Sequence, residues 1–162
     1  MKNFKLFALA AGLLASSSAM AATYSTVVNV ADVADSLSWE ETTQMKFPQI
    51  VLDALSIPGH NCHTSSGFGG GINLELCPDR GGRTSAIFQI SGLANATVLI
   101  NLDNTPKVIE GLEFIPATGT QTTLNSAGQQ TVAVSGLLTL QDRSAVVSSA
   151  ITFNYDLEFT AQ

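Results

Sequence analysis

The stretch that decides the fold is Ile151-Thr152-Phe153-Asn154-Tyr155-Asp156-Leu157-Glu158-Phe159, near the end of the 162-residue chain. Its apolar side chains alternate strictly with polar ones, which is the pattern of a β-strand with one face in a core and one in water. A helix would instead place its apolar residues three and four apart. The stretch predicts a long amphipathic strand, and we expect a core-facing row of Ile151, Phe153, Tyr155, Leu157 and Phe159.

Shorter segments of the chain repeat this alternation. Residues 86–90 and 98–102 alternate on either side of a turn-like stretch at 92–96, which favours a hairpin or a corner. Other strand candidates, separated by prolines and by the turn at 125–128, are 47–55, 71–76, 108–115, 131–134 and 137–140. Short strands at this spacing predict an all-β, immunoglobulin-like sandwich.

The first 21 residues have the composition of a secretion signal. Lys2 and Lys5 precede an apolar run at 6–15, and Ala19-Met20-Ala21 matches a small-x-small cleavage site. We therefore expect export into a periplasm and a processed chain that starts near Ala22. No later stretch reaches the ~18 consecutive apolar residues of a spanning helix, so no integral membrane segment is expected.

The charge of the processed chain argues against nucleic acid as a partner. Without Lys2 and Lys5, five basic residues face thirteen acidic ones, which gives a net charge of −8. The basic residues are scattered among acids, whereas a nucleic-acid-binding surface clusters Lys and Arg. No nucleic acid is therefore expected among the partners.

Cys62 and Cys77 are the only cysteines of the chain. In an oxidising compartment such a pair is predicted to form one disulfide, which would stabilise the fold by about 3 kcal/mol. The alternative is a metal site made of His60, Cys62, His63 and Cys77. Its spacing differs from that of ordinary zinc sites, and adjacent residues of an extended backbone point to opposite sides. We expect neither a metal nor a cofactor.

Catalytic motifs are missing from the sequence. The chain has no Gly-x-Ser-x-Gly elbow and no His-Glu-x-x-His, and no Lys-Ser or Lys-Thr follows the glycine-rich stretch at 65–71. Its carboxylates form no pattern that would separate an acid from a base. We therefore expect no catalytic residues and no enzyme.

The two ends of the chain suggest how it could assemble. An immunoglobulin-like sandwich would close its last sheet with one more strand, but only three residues follow Phe159, so we expect an incomplete sandwich. Residues 22–36 are β-prone and lack Gly and Pro. One interpretation is a donor strand that completes the next subunit by β-augmentation and so builds a fibre. The other is an ordinary first strand of the chain's own sheet.

Three stretches carry a resemblance to a known family. They are Met45-Lys46-Phe47-Pro48-Gln49-Ile50, Ala86-Ile87-Phe88-Gln89-Ile90-Ser91-Gly92, and Gly136-Leu137-Leu138-Thr139-Leu140 followed by Ile151-Thr152-Phe153-Asn154-Tyr155. They resemble motifs of a family of secreted bacterial domains of unknown function that is grouped with the chaperone-usher pilins and is fimbrial major subunit-like. The motifs of that family are, in the same order, Leu-x-Phe-Gly-x-Ile, Ala-x-Phe-x-Val-x-Gly, and Gly-x-Leu-x-Val with the terminal Val-x-Val-x-Tyr. The resemblance implies an immunoglobulin-like sandwich, delivery by a periplasmic chaperone and an outer-membrane usher, and assembly on the cell surface.

These expectations divide the chain into a signal peptide at 1–21, an N-terminal donor-strand extension at 22–36 and a pilin-like sandwich at 37–162. The expected function is that of a fimbrial (pilus) subunit that polymerises with itself by donor-strand exchange and supports adhesion or biofilm formation. The donor residues would be Tyr24, Thr26, Val28 and Val30, and the row from Ile151 to Phe159 would form the acceptor groove or the core beneath it. The alternative is a monomeric secreted binding module, for example for carbohydrate.

Overall fold

The structure is a computed structural model, and it describes residues 23–29, 37–64, 76–77, 82–148 and 150–162. These residues form ten β-strands and one short 3-10 turn (Arg143–Ala145), and no α-helix occurs among them. The strands are β1 (Thr23–Asn29), β2 (Ser38–Thr43), β3 (Asn61–His63), β4 (Ala86–Ser91), β5 (Thr97–Leu102), β6 (Lys107–Ile109), β7 (Leu112–Ala117), β8 (Gln121–Thr123), β9 (Gln129–Leu140) and β10 (Ala150–Ala161).

The strands are arranged in two sheets. The four-stranded sheet has the order β1-β10-β5-β8, and the six-stranded sheet has the order β2-β4-β9-β7-β6, with β3 also paired to β9. Every pairing between these strands is antiparallel except that of β1 with β10, which is parallel. The predicted all-β sandwich is confirmed.

Alternation along the two longest strands builds the core between the sheets. The alternate residues from Val132 to Leu140 in β9 and from Ile151 to Phe159 in β10 are buried. Aromatic rings connect the layers: the ring centroid of Phe114 lies 5.2 Å from that of Phe153, and that of Phe88 lies 5.9 Å from that of Phe159. Centroids at such distances are typical of favourable ring pairs, so these contacts hold β10 to the six-stranded sheet.

β9 passes through Gly136 without a break, and the core leaves no room for a side chain there. A Cβ atom at this position would lie 2.6 Å from Met45 Sδ, 2.7 Å from the Phe114 ring and 2.8 Å from the Phe47 ring. The segments 131–134 and 137–140, expected as two strands, are therefore parts of one strand.

Two further strand predictions are wrong. Residues 108–115 form a hairpin, because Glu110 and Gly111 both have positive φ (47° and 75°), as a two-residue type I′ turn requires. Residues 47–55 form a loop that buries Phe47 and Ile50, and Pro48 within it has no N–H to give to a ladder. The turn at 92–96 is a corner, since β4 and β5 belong to different sheets. Of the candidate strand 71–76, only Leu76 lies within the described residues.

Candidate functional site at the β1–β10 edge

β10 changes its paired neighbour halfway along its length. Its first part, from Ala150 to Asp156, pairs with β1, and its second part, from Leu157 to Ala161, pairs with β5. The predicted core row is buried throughout. Ile151, Phe153 and Tyr155 lie in the part that pairs with β1, so β1 flanks this part of the core.

β1 pairs with the first part of β10 residue by residue, without a register shift. Tyr24, Thr26 and Val28 pair with Ile151, Phe153 and Tyr155, respectively. Paired positions on neighbouring strands share one face of a sheet, so these three positions match core-facing positions of β10. Val30 lies outside the described residues. Here β1 pairs with the β10 of its own chain.

The direction of β1 sets it apart from the other described strands. It runs parallel to β10, and no other described strand pairs with it. Parallel hydrogen bonds are slanted and slightly less stable per residue than antiparallel ones, and parallel strands are usually covered on both faces. An antiparallel strand of similar sequence should therefore compete well for the same edge of β10.

The other four described strands that pair on one side only carry features that oppose further pairing. β3, β6 and β8 have only three residues each. β2 has a register irregularity between Glu41 and Thr43, and its Glu40 is exposed. Short strands, bulges and charges are means by which proteins protect sheet edges. β1 has seven uncharged residues without Gly or Pro, so it forms the described edge that is most open to exchange.

A buried polar pair lies between β2 and β10. The Tyr155 hydroxyl and Glu41 Oε1 are both shielded from solvent, and neither has a hydrogen-bond partner among the described residues. Burial raises the pKa of Glu41, and burial together with the negative charge of Glu41 raises the pKa of Tyr155. An ionised Glu41 is thus held at a cost beside the strand that β1 flanks.

Sequence reasoning missed this pair, although a signal was present. Glu41 follows Trp39 by two residues, and the Trp39 ring packs on Phe88 and on Phe159 of β10. Side chains two apart in a strand share a face, so a core-facing Trp39 implies a core-facing Glu41.

The predicted disulfide is confirmed. Cys62 of β3 is bonded to Cys77, with their Cα atoms 5.8 Å apart, and the neighbouring His60 and His63 are buried. The bond removes both thiolates from the alternative metal-ligand set. Within the described ranges, no group of three or more His, Cys, Asp or Glu residues is arranged to hold a metal ion. The disulfide therefore ties β3 to the chain beyond the glycine-rich stretch.

Comparisons with known proteins add no assignment to this geometry. No protein-family model matches the chain, and a search of curated proteins finds no similar sequence. Among the described residues, no helix has the length and apolar character needed to cross a membrane.

Proposed function

We propose that the protein is a structural subunit of a surface fimbria, with an incomplete immunoglobulin-like sandwich and residues 22–36 as its donor strand. Subunits are exported through the periplasm with a chaperone, pass an outer-membrane usher and join by donor-strand exchange. The fibre then supports adhesion or biofilm formation. The proposal assigns no catalytic residue and no cofactor.

The parallel pairing of β1 is the observation that carries the proposal. An uncharged edge strand flanks the half of β10 that holds Ile151, Phe153 and Tyr155, and it pairs there in the less stable direction. If β1 leaves, β10 presents unpaired backbone groups beside an apolar core, which is a template for another strand. β1 of a second copy, inserted antiparallel, gives that edge a more stable partner.

The path of the chain explains why such an exchange would produce an open polymer. β2, which follows the donor segment, begins beside Ser91, at the end of the sandwich opposite to Ala150. A strand inserted antiparallel would bring its Asn29 near Ala150 of the acceptor, so the two bodies would be joined through opposite ends. A head-to-tail contact of this kind does not close on itself and builds a fibre.

The intrachain pairing of β1 also supports the second candidate, a monomeric secreted binding module. In that case β1 is a permanent strand, and the chain has no reason to exchange it. The two candidates differ in one property, which is whether another strand pairs more stably with this edge of β10 than β1 of the same chain does.

The test moves residues 22–36 from the N-terminus to the C-terminus, behind a flexible linker. Gln162 donates its N–H to the Thr97 carbonyl at the far end of β10, so the moved strand can fold back antiparallel along the exchange edge. We expect a monomer with a much higher Tm than the unmodified processed chain, measured by size exclusion and thermal unfolding. A chain with the moved segment scrambled is the control. If the rewired and unmodified chains are both monomers of equal stability, the binding module replaces the fimbrial subunit.

A further inference from the structure

Exposed apolar side chains gather at one end of the sandwich. Leu55, Ile57 and Val147 are 68%, 56% and 72% exposed, and Ile109 is also exposed. We call these four residues the apolar end. Leu93, which is 68% exposed, lies at the opposite end of the molecule. Exposed apolar side chains that lie together, with polar residues around them, are typical of an interaction surface.

Backbone hydrogen bonds place the parts of the apolar end side by side, where β9 finishes. The Gly59 N–H donates to the Leu140 carbonyl at 2.7 Å, which brings the loop of Leu55 and Ile57 to this point. The Gln141 N–H donates to the Gly111 carbonyl at 2.7 Å, which brings the β6–β7 turn beside it.

The segment that carries Val147 is fastened to the same turn. The Glu110 carboxylate accepts hydrogen bonds from the backbone N–H groups of Val147 and Ser148, at 3.4 and 2.8 Å, and from the Ser148 hydroxyl. These hydrogen bonds lower the pKa of Glu110, so its carboxylate remains ionised and bound. Val147 is therefore presented by a fixed loop.

Leu93 belongs to the corner between β4 and β5. The Gly92 N–H donates to the Gly128 carbonyl at 2.8 Å, directly before β9 begins. Since β9 has twelve residues, its two ends are about 37 Å apart. The turns at 92–96 and 125–128, which we call the Leu93 end, carry no charged residue.

We infer that the apolar end binds a second copy of this chain, which contacts it through the Leu93 end. This inference rests on the proposed strand exchange. When Asn29 of the donor strand lies beside Ala150 of the acceptor, the donor chain leaves the acceptor at the acceptor's apolar end. Residues 30–36 can then span at most about 28 Å before Leu37, which precedes β2 at the Leu93 end of the donor's own sandwich.

The charges of the two ends fit this occupant. Beside the apolar end lie the carboxylates of Asp53, Glu110 and Asp142, and each accepts hydrogen bonds from backbone N–H groups of the loops at this end. The two turns of the Leu93 end carry no carboxylate, and Arg143 acts on Asp53 of the acceptor, whereas the connecting segment 30–36 carries Asp32 and Asp35. The two turns that would dock therefore add no carboxylate to those of the acceptor, and their contact removes apolar surface from water.

The test uses the processed chain with Val147→Asp or Leu93→Asp, with Leu55→Ser as a second variant of the apolar end. The control is Gln121→Asp, at an exposed position of β8. Polymer yield is measured by size exclusion and electron microscopy, and uptake of a labelled peptide of residues 22–36 is measured in parallel. We expect Val147→Asp and Leu93→Asp to lower polymer yield at least tenfold, Leu55→Ser to lower it less, and Gln121→Asp to leave it unchanged.

Peptide uptake should stay within twofold of wild type in every variant, because the peptide has no sandwich of its own and therefore no Leu93 end to dock. A mixture gives the sharpest result: Val147→Asp can still donate and Leu93→Asp can still accept, so together they should form heterodimers and nothing longer. Wild-type polymer yield from both variants overturns the inference and leaves strand exchange standing. A wild-type chain that neither polymerises nor takes up the peptide overturns the proposed function and this inference with it.

Discussion

The edges formed by β1 and β2 lie in different sheets and show opposite character. β2 is antiparallel to β4, has a register irregularity and carries Glu40 and Glu41, whereas β1 is parallel to β10, regular and uncharged. Both edges flank the same core, since Trp39 of β2 packs against it and Phe153, in the part of β10 that pairs with β1, belongs to it. The difference shows that the β2 edge is protected against further strands and that the β1 edge is not.

The largest effect is expected from a charge placed in β1. Val28 pairs with buried Tyr155 and Asn29 pairs with exposed Asp156, so the two positions differ in face but not in location. Val28→Lys should reduce polymer yield by more than about tenfold, because an unpaired charge is costly to bury. Asn29→Lys is the matched control and should assemble nearly as wild type. Equal fibre yields from the two variants, scored by electron microscopy, would show that the register of the exchanged strand is different.

Loss of the disulfide should change stability without changing the exchange edge. Replacement of Cys62 and Cys77 by serine removes a cross-link that closes a 15-residue separation in the six-stranded sheet. The free energy of unfolding should fall by about 3 kcal/mol in denaturant titrations. Uptake of a peptide of residues 22–36 should persist under native conditions. If peptide uptake is lost while the chain remains folded, the disulfide supports the exchange edge as well as the stability of the fold.

A methyl group at Gly136 should have a somewhat smaller effect, again confined to stability. Its Cβ would meet Met45, Phe114 and Phe47 at distances well below ordinary contact. Overpacking of this kind costs roughly 1–3 kcal/mol, so Gly136→Ala should lower the Tm measured by circular dichroism. Gly119→Ala is a suitable control, because the nearest atom to its added Cβ is 3.8 Å away. An unchanged Tm in Gly136→Ala would mean that the core adjusts freely at this point.

The smallest effect is expected from the half-buried side chain of Glu41 at the β2 edge. Burial raises the pKa of Glu41 in the folded chain, so the unfolded chain loses this proton at a lower pH than the folded chain does. Stability from this group is therefore lost as pH rises above the ordinary glutamate range. Glu41→Gln should raise the Tm at pH 7 by no more than about 2–4 °C. It should also remove the part of any decrease in Tm between pH 4 and 7 that comes from ionisation of Glu41. Glu40→Gln, at the exposed neighbour, should do neither.

Several elements could be predicted from local pattern because their two faces differ strongly. The strict alternation of 151–159 forces one face into the core, and the same holds for 86–90 and 98–102. The pattern failed at 47–55, where Phe47 and Ile50 are buried in a loop, since burial does not require a ladder. It also failed at Gly136 and at Glu110-Gly111. A glycine in a strand and a glycine in a turn are distinguished only by what surrounds them: aromatic rings at Gly136 and the Asp142 carbonyl at Gly111.

The candidate site also has features that the sequence predicts and features that it does not. Composition was enough to mark residues 22–36, which include β1, as β-prone and to pair Cys62 with Cys77, because β-propensity and the number of cysteines are properties of the chain alone. Periodicity also determined which residues of β10 face inward. The neighbour of each strand, its direction and the meeting of Glu41 with Tyr155 depend on contacts between distant segments. Those contacts were decided by the packing of the two sheets, since a strand's sequence specifies its two faces and leaves both of its edges open.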